Sequence, residues 1–434
     1  MRVVDLIDKK KNGQSLTNAE IDFLLDEYLA NNVPDYQMSA FLMSVFFNGM
    51  AEEELAYFTL KMRDSGDVIS FPDVDKFLVD KHSTGGVGDK VTVILGALLA
   101  ALGMATTKLS GKGLGHTGGT IDKFESIENF EFSNTREELV NIVNKTGVGI
   151  MGYSDSIVPL DKKLYSLRDV TATVNSIPLI ASSIMSKKLA IESNIIILDV
   201  KVGDGAFMKT IDEARELSRT MVNIGNSLGR KTVALITTME EPLGKEVGNS
   251  NEIIEGIEAL KGQWADDVKE VVYSIAYLAL KEKGEVTTFE EASALIDKVI
   301  TDGSALAIFK EFVKESGGNP ELVNDYSLLS EPKNSLEVKS TTTGYVSQIM
   351  AEEIGKAAMI IGAGRATKED LIDHAVGVTL HKKVGDFVEK DETLATIHYN
   401  DEKNVEKSKE MILASYVIQE NQVEAKKVVL EIIE

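Results

Sequence analysis

Between Lys81 and Glu125 the chain carries two glycine-rich stretches, KHSTGGVGDKVT and LSGKGLGHTGGTIDKFE, separated by an apolar, helix-like run. Both combine glycine with lysine and hydroxyl side chains, which is the equipment for gripping a phosphate. Backbone N–H groups at a glycine-rich turn entering a helix, with the helix dipole behind them, hold such an anion without an enclosing cage. In the first loop Gly85, Gly86 and Gly88 let the chain bend closely around a ligand while Lys81 supplies charge and Ser83 a hydroxyl. The bland alternative is a solvated strand-to-helix turn, and the density of donors argues against it. The G-x-x-x-x-G-K-[ST] spacing of a Walker loop is absent. In the second loop Gly113, Gly115 and Gly118 match the dinucleotide fingerprint by letter. Lys108, Ser110 and Thr120 surround it, and so many side-chain donors suit free phosphate better than a pyrophosphate held by backbone alone.

Two of the five histidines, His82 and His116, lie inside these loops, and His82 beside Lys81 and Ser83 is the candidate for proton chemistry. His374, His381 and His398 show no metal-binding spacing. Farther on, Tyr165 and Arg168 are three residues apart and Ser183 and Lys187 four apart. On a helix each pair shares a face and can point into one cleft, although an ordinary amphipathic helix has the same look.

These groups need elements to hold them. Thr17 with Glu20 forms a capping box ahead of Ile21, Leu24, Leu25, Tyr28 and Leu29, Pro34 opens a second helix through Phe47, and a third runs from Ala51 to Arg63. From Phe77 onward, β-prone runs end in glycine loops and alternate with helices, the pattern of a parallel sheet buried on both faces. The predicted fold is therefore α/β. A small all-α lobe covers residues 1–66 and is rejoined by residues 161–192. A large phosphate-binding α/β lobe with a mixed, mainly parallel sheet covers residues 67–160 and 193–333. A β-rich C-terminal α+β domain covers residues 334–434. Its run GVTLHKKVGDFVEKDETLATIH has the look of a biotinyl or lipoyl carrier but lacks the attachment lysine, so a structural or dimer-supporting role is expected.

The chain has 434 residues, 43% hydrophobic and 26% charged, with no apolar run long enough to span a bilayer. A formal net charge of -23 argues against a nucleic-acid partner, since phosphate-backbone binding runs on lysine and arginine. Cysteine is absent, which removes thiolate chemistry and fits a reducing compartment. Charge interrupts every apolar stretch of MRVVDLIDKKKNG, unlike a signal peptide, and a cytoplasmic location is expected.

At these residues the sequence resembles the class II nucleoside phosphorylases, the family of pyrimidine-nucleoside and thymidine phosphorylases. The signature S-G-R-G-L-x-x-T-G-G-T-x-D-K-L-E is similar to Ser110–Glu125, with Lys112 for Arg and Phe124 for Leu, and Lys81–Lys90 matches K-H-S-T-G-G-V-G-D-K in full. LRDVTATV and SIPLIASSIMSKK match later runs, so the resemblance spans essentially the whole chain. It implies reversible phosphorolysis of pyrimidine nucleosides (uridine, deoxyuridine, thymidine) to the free base and a (deoxy)ribose 1-phosphate. Phosphate would be held by Lys81, Ser83, Thr92, Lys108, Ser110 and Thr120, and the base by His82, Tyr165, Arg168, Ser183 and Lys187. Of these, His82, Arg168 and Lys187 would be catalytic. No organic cofactor is implied. A homodimer is, together with a monovalent cation, potassium, near Gly88, Lys90, Leu243, Glu246 and Glu255. The rival readings are an anthranilate-type phosphoribosyltransferase, which needs carboxylates for Mg²⁺ such as Asp199 and Asp204, a non-catalytic nucleotide-binding protein, and last an oxidoreductase using the Gly113 loop.

Overall fold

The computed structural model describes every residue except Leu114, His116 and Lys368, so the candidate His116 lies outside the described residues. The helical lobe opens with α1 (Val3–Lys11), which the apolar pattern missed because its two buried side chains are Leu6 and a lysine, Lys10. The Lys10 ammonium meets Glu54 at 2.6 Å with both side chains buried. The expected capping box of Thr17 and Glu20 starts α2 (Asn18–Leu29), which buries Ile21, Leu24, Leu25 and Tyr28. Next come α3 (Asp35–Asn48), closed by Gly49 at φ +66, and α4 (Glu52–Arg63). Glu54 accepts from the Leu16 N–H at 2.8 Å as well, so one buried carboxylate ties α4 to α1 and to the turn before α2.

The α/β lobe then runs β1 (Phe77–Ser83), α5 (Val91–Ala101), β2 (Met104–Ser110), α6 (Thr120–Phe124), α7 (Arg136–Thr146) and β3 (Val148–Gly152). The chain departs through α8 (Pro159–Asp169) and α9 (Ile177–Leu189), returning for β4 (Ile195–Val202), α10 (Ile211–Ser227) and β5 (Lys231–Thr238). The strands stand in the order β5-β4-β1-β2-β3, all parallel. Every residue of β4 is buried, as expected of a strand covered on both faces. Leu160, Leu164 and Leu179 of α8 and α9 share one core with Leu24, Phe41 and Phe58 of the first helices, and that core continues under the sheet through Leu78, Ala105 and Met151.

After β6 (Glu246–Gly248) come α11 (Ser250–Leu260), α12 (Asp266–Lys283), α13 (Phe289–Thr301) and α14 (Ser304–Glu315), then β7 (Asn334–Lys339), β8 (Gly344–Ile349), α15 (Ala351–Ala358), β9 (Gly377–Leu380), β10 (Phe387–Val388), β11 (Thr393–Tyr399), α16 (Val405–Ser415), β12 (Tyr416–Gln419) and β13 (Val429–Ile433). Two small antiparallel sheets, β6-β9-β11-β7 and β10-β8-β12, form the β-rich region. Pairing crosses residue 334 in both directions: β6 joins β9, and β13 adds antiparallel to the edge of β5 in the large sheet. No helix among the described residues is long and apolar enough to cross a membrane.

Removing one member of a buried ion pair strands the other charge. We expect Lys10→Met to cost roughly 3–5 kcal/mol, read as a lowered urea midpoint, and Lys10→Met with Glu54→Gln to recover much of it. An unchanged midpoint for Lys10→Met would show that the pair does not hold α1 in place.

Candidate active site

Lys81, His82 and Ser83 end β1, and Lys108 and Ser110 end its parallel neighbour β2; Thr92 lies in the first turn of α5 and Thr120 opens α6. The six residues expected to bind phosphate thus stand at strand C-termini and the helix N-termini that follow, where open parallel sheets present ligands with backbone donors. Lys108 Nζ donates to the Lys81 carbonyl at 2.8 Å, fastening the two strand ends together.

Strand register supplies the counter-charges. Ser83 stands opposite Asp199 of β4, which brings Asp199 to 3.2 Å from Lys81 Nζ and 2.9 Å from Lys201 Nζ. Asp89 lies 3.6 Å from Lys81. Burial opposes ionisation of Asp89, but Lys81 and Lys201 with the Ser83 hydroxyl outweigh it and hold the carboxyl well below its usual range. Although buried and ion-paired, the Lys81 ammonium makes no hydrogen bond to any described group. Burial, then the nearby charges of Lys188 and Lys81, push Lys108 down to about 7 against the pull of Asp80 and Asp89.

On the helical side, Lys187 Nζ pairs with Asp161 and donates to Ser183 Oγ at 3.0 Å, so the expected i, i+4 pair does share a face. The Tyr165 ring is exposed, with its centroid 5.9 Å from the Arg168 guanidinium carbon. Arg168 itself is turned inward. It donates to the carbonyls of Thr173 at 3.2 Å, Leu179 at 3.0 Å and Val174 at 2.6 Å, holding the connection between α8 and α9. Three of its five N–H groups are thereby engaged, and the other two make no hydrogen bond among the described residues. His82, on β1, feels the charges of lysines from both groups of residues. Burial first, then Lys188, Lys108, Lys81 and Lys187, drive its pKa well below the ordinary value, so the ring is neutral. A neutral imidazole offers one N–H as a hydrogen-bond donor rather than a proton already loaded.

Sequence reasoning missed the aspartates that aim these lysines. Asp161 is the partner of Lys187, and Asp80 pairs with Lys188 at 3.0 Å with neither side chain exposed. Lys188 also reaches the Leu109 carbonyl at 3.5 Å, so α9 is fixed to the ends of both strands that carry the phosphate-side residues. The only signal was the adjacent pair Lys187-Lys188 on one helix, which must face in different directions. The second loop is held from far along the chain: Arg365 bonds Asp122 at 2.7 Å, Asp122 accepts from the Gly113 N–H at 2.6 Å, and the Gly115 N–H goes to the Arg365 carbonyl at 2.8 Å. Two amides of the apparent dinucleotide fingerprint are therefore committed within the protein. A Cβ on Gly119 would lie 2.1 Å from the Gly113 nitrogen, so that glycine is required by close approach. Lys112, where the signature has Arg, pairs with Glu125 at 2.8 Å on the surface.

The residues expected to hold a monovalent cation also come together, but around a side chain. Lys90 Nζ donates to the carbonyls of Leu243 and Glu246, each at 2.8 Å, and to the Glu255 carboxylate. The potassium expectation does not fit this geometry, because an ammonium already stands where those oxygens converge. The carboxylates considered for Mg²⁺ are engaged too: Asp199 by Lys81, Lys201 and Thr237, and Asp204 by the Glu352 N–H at 2.8 Å.

Residues 75–306 match the a/b domain of the glycosyl transferase family, residues 4–66 its helical bundle domain, and residues 345–419 the pyrimidine nucleoside phosphorylase C-terminal domain. The chain is 50% identical to the pyrimidine-nucleoside phosphorylase of Geobacillus stearothermophilus over 403 residues, covering 93% of each chain. It is 50% identical to that of Bacillus subtilis (strain 168) over 402 residues and 48% identical to that of Staphylococcus haemolyticus (strain JCSC1435) over 402 residues, again with 93% of both chains covered. Among solved structures, anthranilate phosphoribosyltransferase from Thermus thermophilus is similar at a TM-score of 0.56 and 16% identity, covering 71% of this chain and 98% of that one, which is a likeness of fold.

The Lys108 value has a measurable consequence. A lysine titrating at about 7 is charged below that pH and neutral above it, so anion binding must take up a proton once the pH exceeds 7. With sulfate, whose charge is constant from pH 6 to about 9, the dissociation constant is expected to rise by up to about tenfold per unit above 7. Lys108→Met should bind sulfate more weakly and flatten the profile; a flat wild-type profile would remove Lys108 from the anion site.

Proposed function

The chain belongs to the pyrimidine-nucleoside phosphorylase family, and on that premise we propose that it catalyses the reversible phosphorolysis of pyrimidine nucleosides through the residues described above. The observation that carries the reading is the Lys81 ammonium, buried among aspartates at a strand end with its hydrogen-bonding capacity unused and with Ser83, Lys108 and Ser110 on the same strand ends. Inorganic phosphate would complete that set, with Thr92 and Thr120 at the helix N-termini.

In this reading a phosphate oxygen attacks C1′ as the bond from C1′ to the base nitrogen breaks, and the electron pair leaves with the base. Negative charge therefore grows on the pyrimidine and positive charge on the sugar, and donors aimed at the base oxygens act most strongly in the transition state. Lys187, steadied by Asp161 and Ser183, stands at one base edge and the two free N–H groups of Arg168 beside it, with Tyr165 lining the approach. His82, neutral, donates its N–H to a base carbonyl oxygen. A protein nucleophile has no part, since phosphate performs that step. Excluding water as the two sides close would favour phosphate over hydrolysis. Broad acceptance of uridine, deoxyuridine and thymidine and a homodimeric assembly are what the family resemblance implies, while a cytoplasmic location rests on the charged N-terminal run and the absence of cysteine.

The direct test is release of free base from uridine, deoxyuridine and thymidine with and without phosphate. We expect release from all three only when phosphate is present; release without phosphate, or only with pyrophosphate and Mg²⁺, would overturn the proposal. The two sides of the site should separate kinetically. Lys187→Ala should lower kcat by about a hundred- to a thousandfold with little change in the phosphate KM, whereas Ser110→Ala should raise the phosphate KM by about tenfold or more. Equal loss of phosphate binding in both would show that the assignment of the two sides is wrong.

A further inference from the structure

Two main-chain carbonyls and a carboxylate converging in a buried space form a donor set able to replace the hydration shell of a monovalent cation. Leu243, Glu246 and Glu255 build such a space, and Lys90 enters it from the N-terminus of α5, directly after the first glycine loop. Lys90 has no exposed side-chain surface. An ammonium carries three N–H donors, and here each has one oxygen acceptor, so the group is fully satisfied. Burial opposes its charge, but Glu255 and then Glu252 outweigh that, and Lys90 holds its proton more firmly than an ordinary lysine.

The surroundings are shaped to this one charge. Glu255 is fixed by the N–H groups of Lys245 at 2.8 Å and Glu246 at 2.9 Å. The Glu246 carboxylate turns away to Thr379 at 2.7 Å and Asn251 at 3.0 Å. Glu252 has Lys123 at 3.4 Å, and Asp267 has Lys383 at 3.0 Å, which leaves Glu255 to balance Lys90. A Cβ on Gly244 would stand 2.6 Å from Lys90 Nζ, and one on Gly88 2.5 Å from the Leu243 carbonyl oxygen. Both glycines have positive φ, and both leave room that a side chain would fill.

We propose that the Lys90 ammonium is a covalently tethered substitute for a monovalent metal ion, joining the first glycine loop to β6 and α11, and that this protein consequently has no potassium requirement. A free ion stabilises only as the logarithm of one plus its concentration over its dissociation constant, whereas a tethered one is present at any salt composition. The idea goes beyond the phosphorolysis reading, and two of its three measurements do not use that activity.

Wild-type protein is measured with tetramethylammonium as the sole added cation and again in about 100 mM potassium chloride, where base release is expected to agree within about twofold. Its melting temperature should respond no more to potassium than to sodium, and rubidium-soaked crystals should show no anomalous peak between Leu243, Glu246 and Glu255. Potassium-specific activation of about tenfold or more, or a rubidium peak there, would overturn the proposal. Lys90→Ser removes the ammonium and leaves an oxygen donor in its place. Without potassium it should melt below the wild type, and potassium or rubidium, but not sodium, should recover part of the loss. A Lys90→Ser protein as stable as the wild type in potassium-free buffer would also sink the idea, and the wild-type measurements decide the matter if that variant does not fold.

Discussion

The structure turns on the problem of keeping several ammonium groups charged at the dry end of a parallel sheet. Lys81, Lys188 and Lys201 are all buried there, and charge without a partner in such a place is strongly disfavoured. Asp80, Asp89 and Asp199 answer it, each supplied by a strand end or the loop beyond it. These three carboxylates match three ammonium groups, Asp80 facing Lys188 while Asp89 and Asp199 together face Lys81 and Lys201, so the charge left over is that of Lys108. Lys108, which pairs with no carboxylate among the described residues, is left half-titrated near neutrality. A site with that surplus attracts an anion although the chain as a whole carries -23.

Similar tethering governs the loops. Neither glycine-rich segment is free-standing: the first is joined through Lys90 to β6 and α11, and the second through Asp122 to Arg365 of the β-rich region. Pre-organised loops lose little freedom when a ligand arrives, so more of the contact energy is available for binding and for the transition state. The β-rich region, for which the sequence offered only a structural role, thus reaches the second glycine loop through both the guanidinium and the carbonyl of Arg365.

Local signals in the chain were enough for the elements that bury two faces or cap themselves. Runs such as Ile195–Val202 and the Thr17 capping box read directly as strand and helix start. α1 was hidden because Lys10, which counts as polar in any pattern, is one of its two buried residues. β3 is five residues long with glycine at two of them, too short for a period to show. The lysines and hydroxyls of the site were legible because they lie in two dense loops. Their aspartate partners were not, since Asp80 and Lys188 are separated by 108 positions and meet only through the fold. Gly88, Lys90, Leu243, Glu246 and Glu255, which the resemblance names together, are neighbours in the structure, but the Lys90 ammonium lying among the oxygens of the others is visible only in the geometry. The position of His82 could be read, but its neutrality depends first on burial and then on four lysines from three elements.

The antiparallel pairing of β13 with β5 has a consequence for how the protein is made. Ribosomes deliver β5 well before β13, with residues 239–428 intervening, which at ordinary translation speeds is roughly ten to forty seconds. Throughout that interval one margin of an otherwise finished sheet offers bare amides and carbonyls to any neighbouring nascent strand. The edge of β5 is thus closed only by the last strand of the chain to be made.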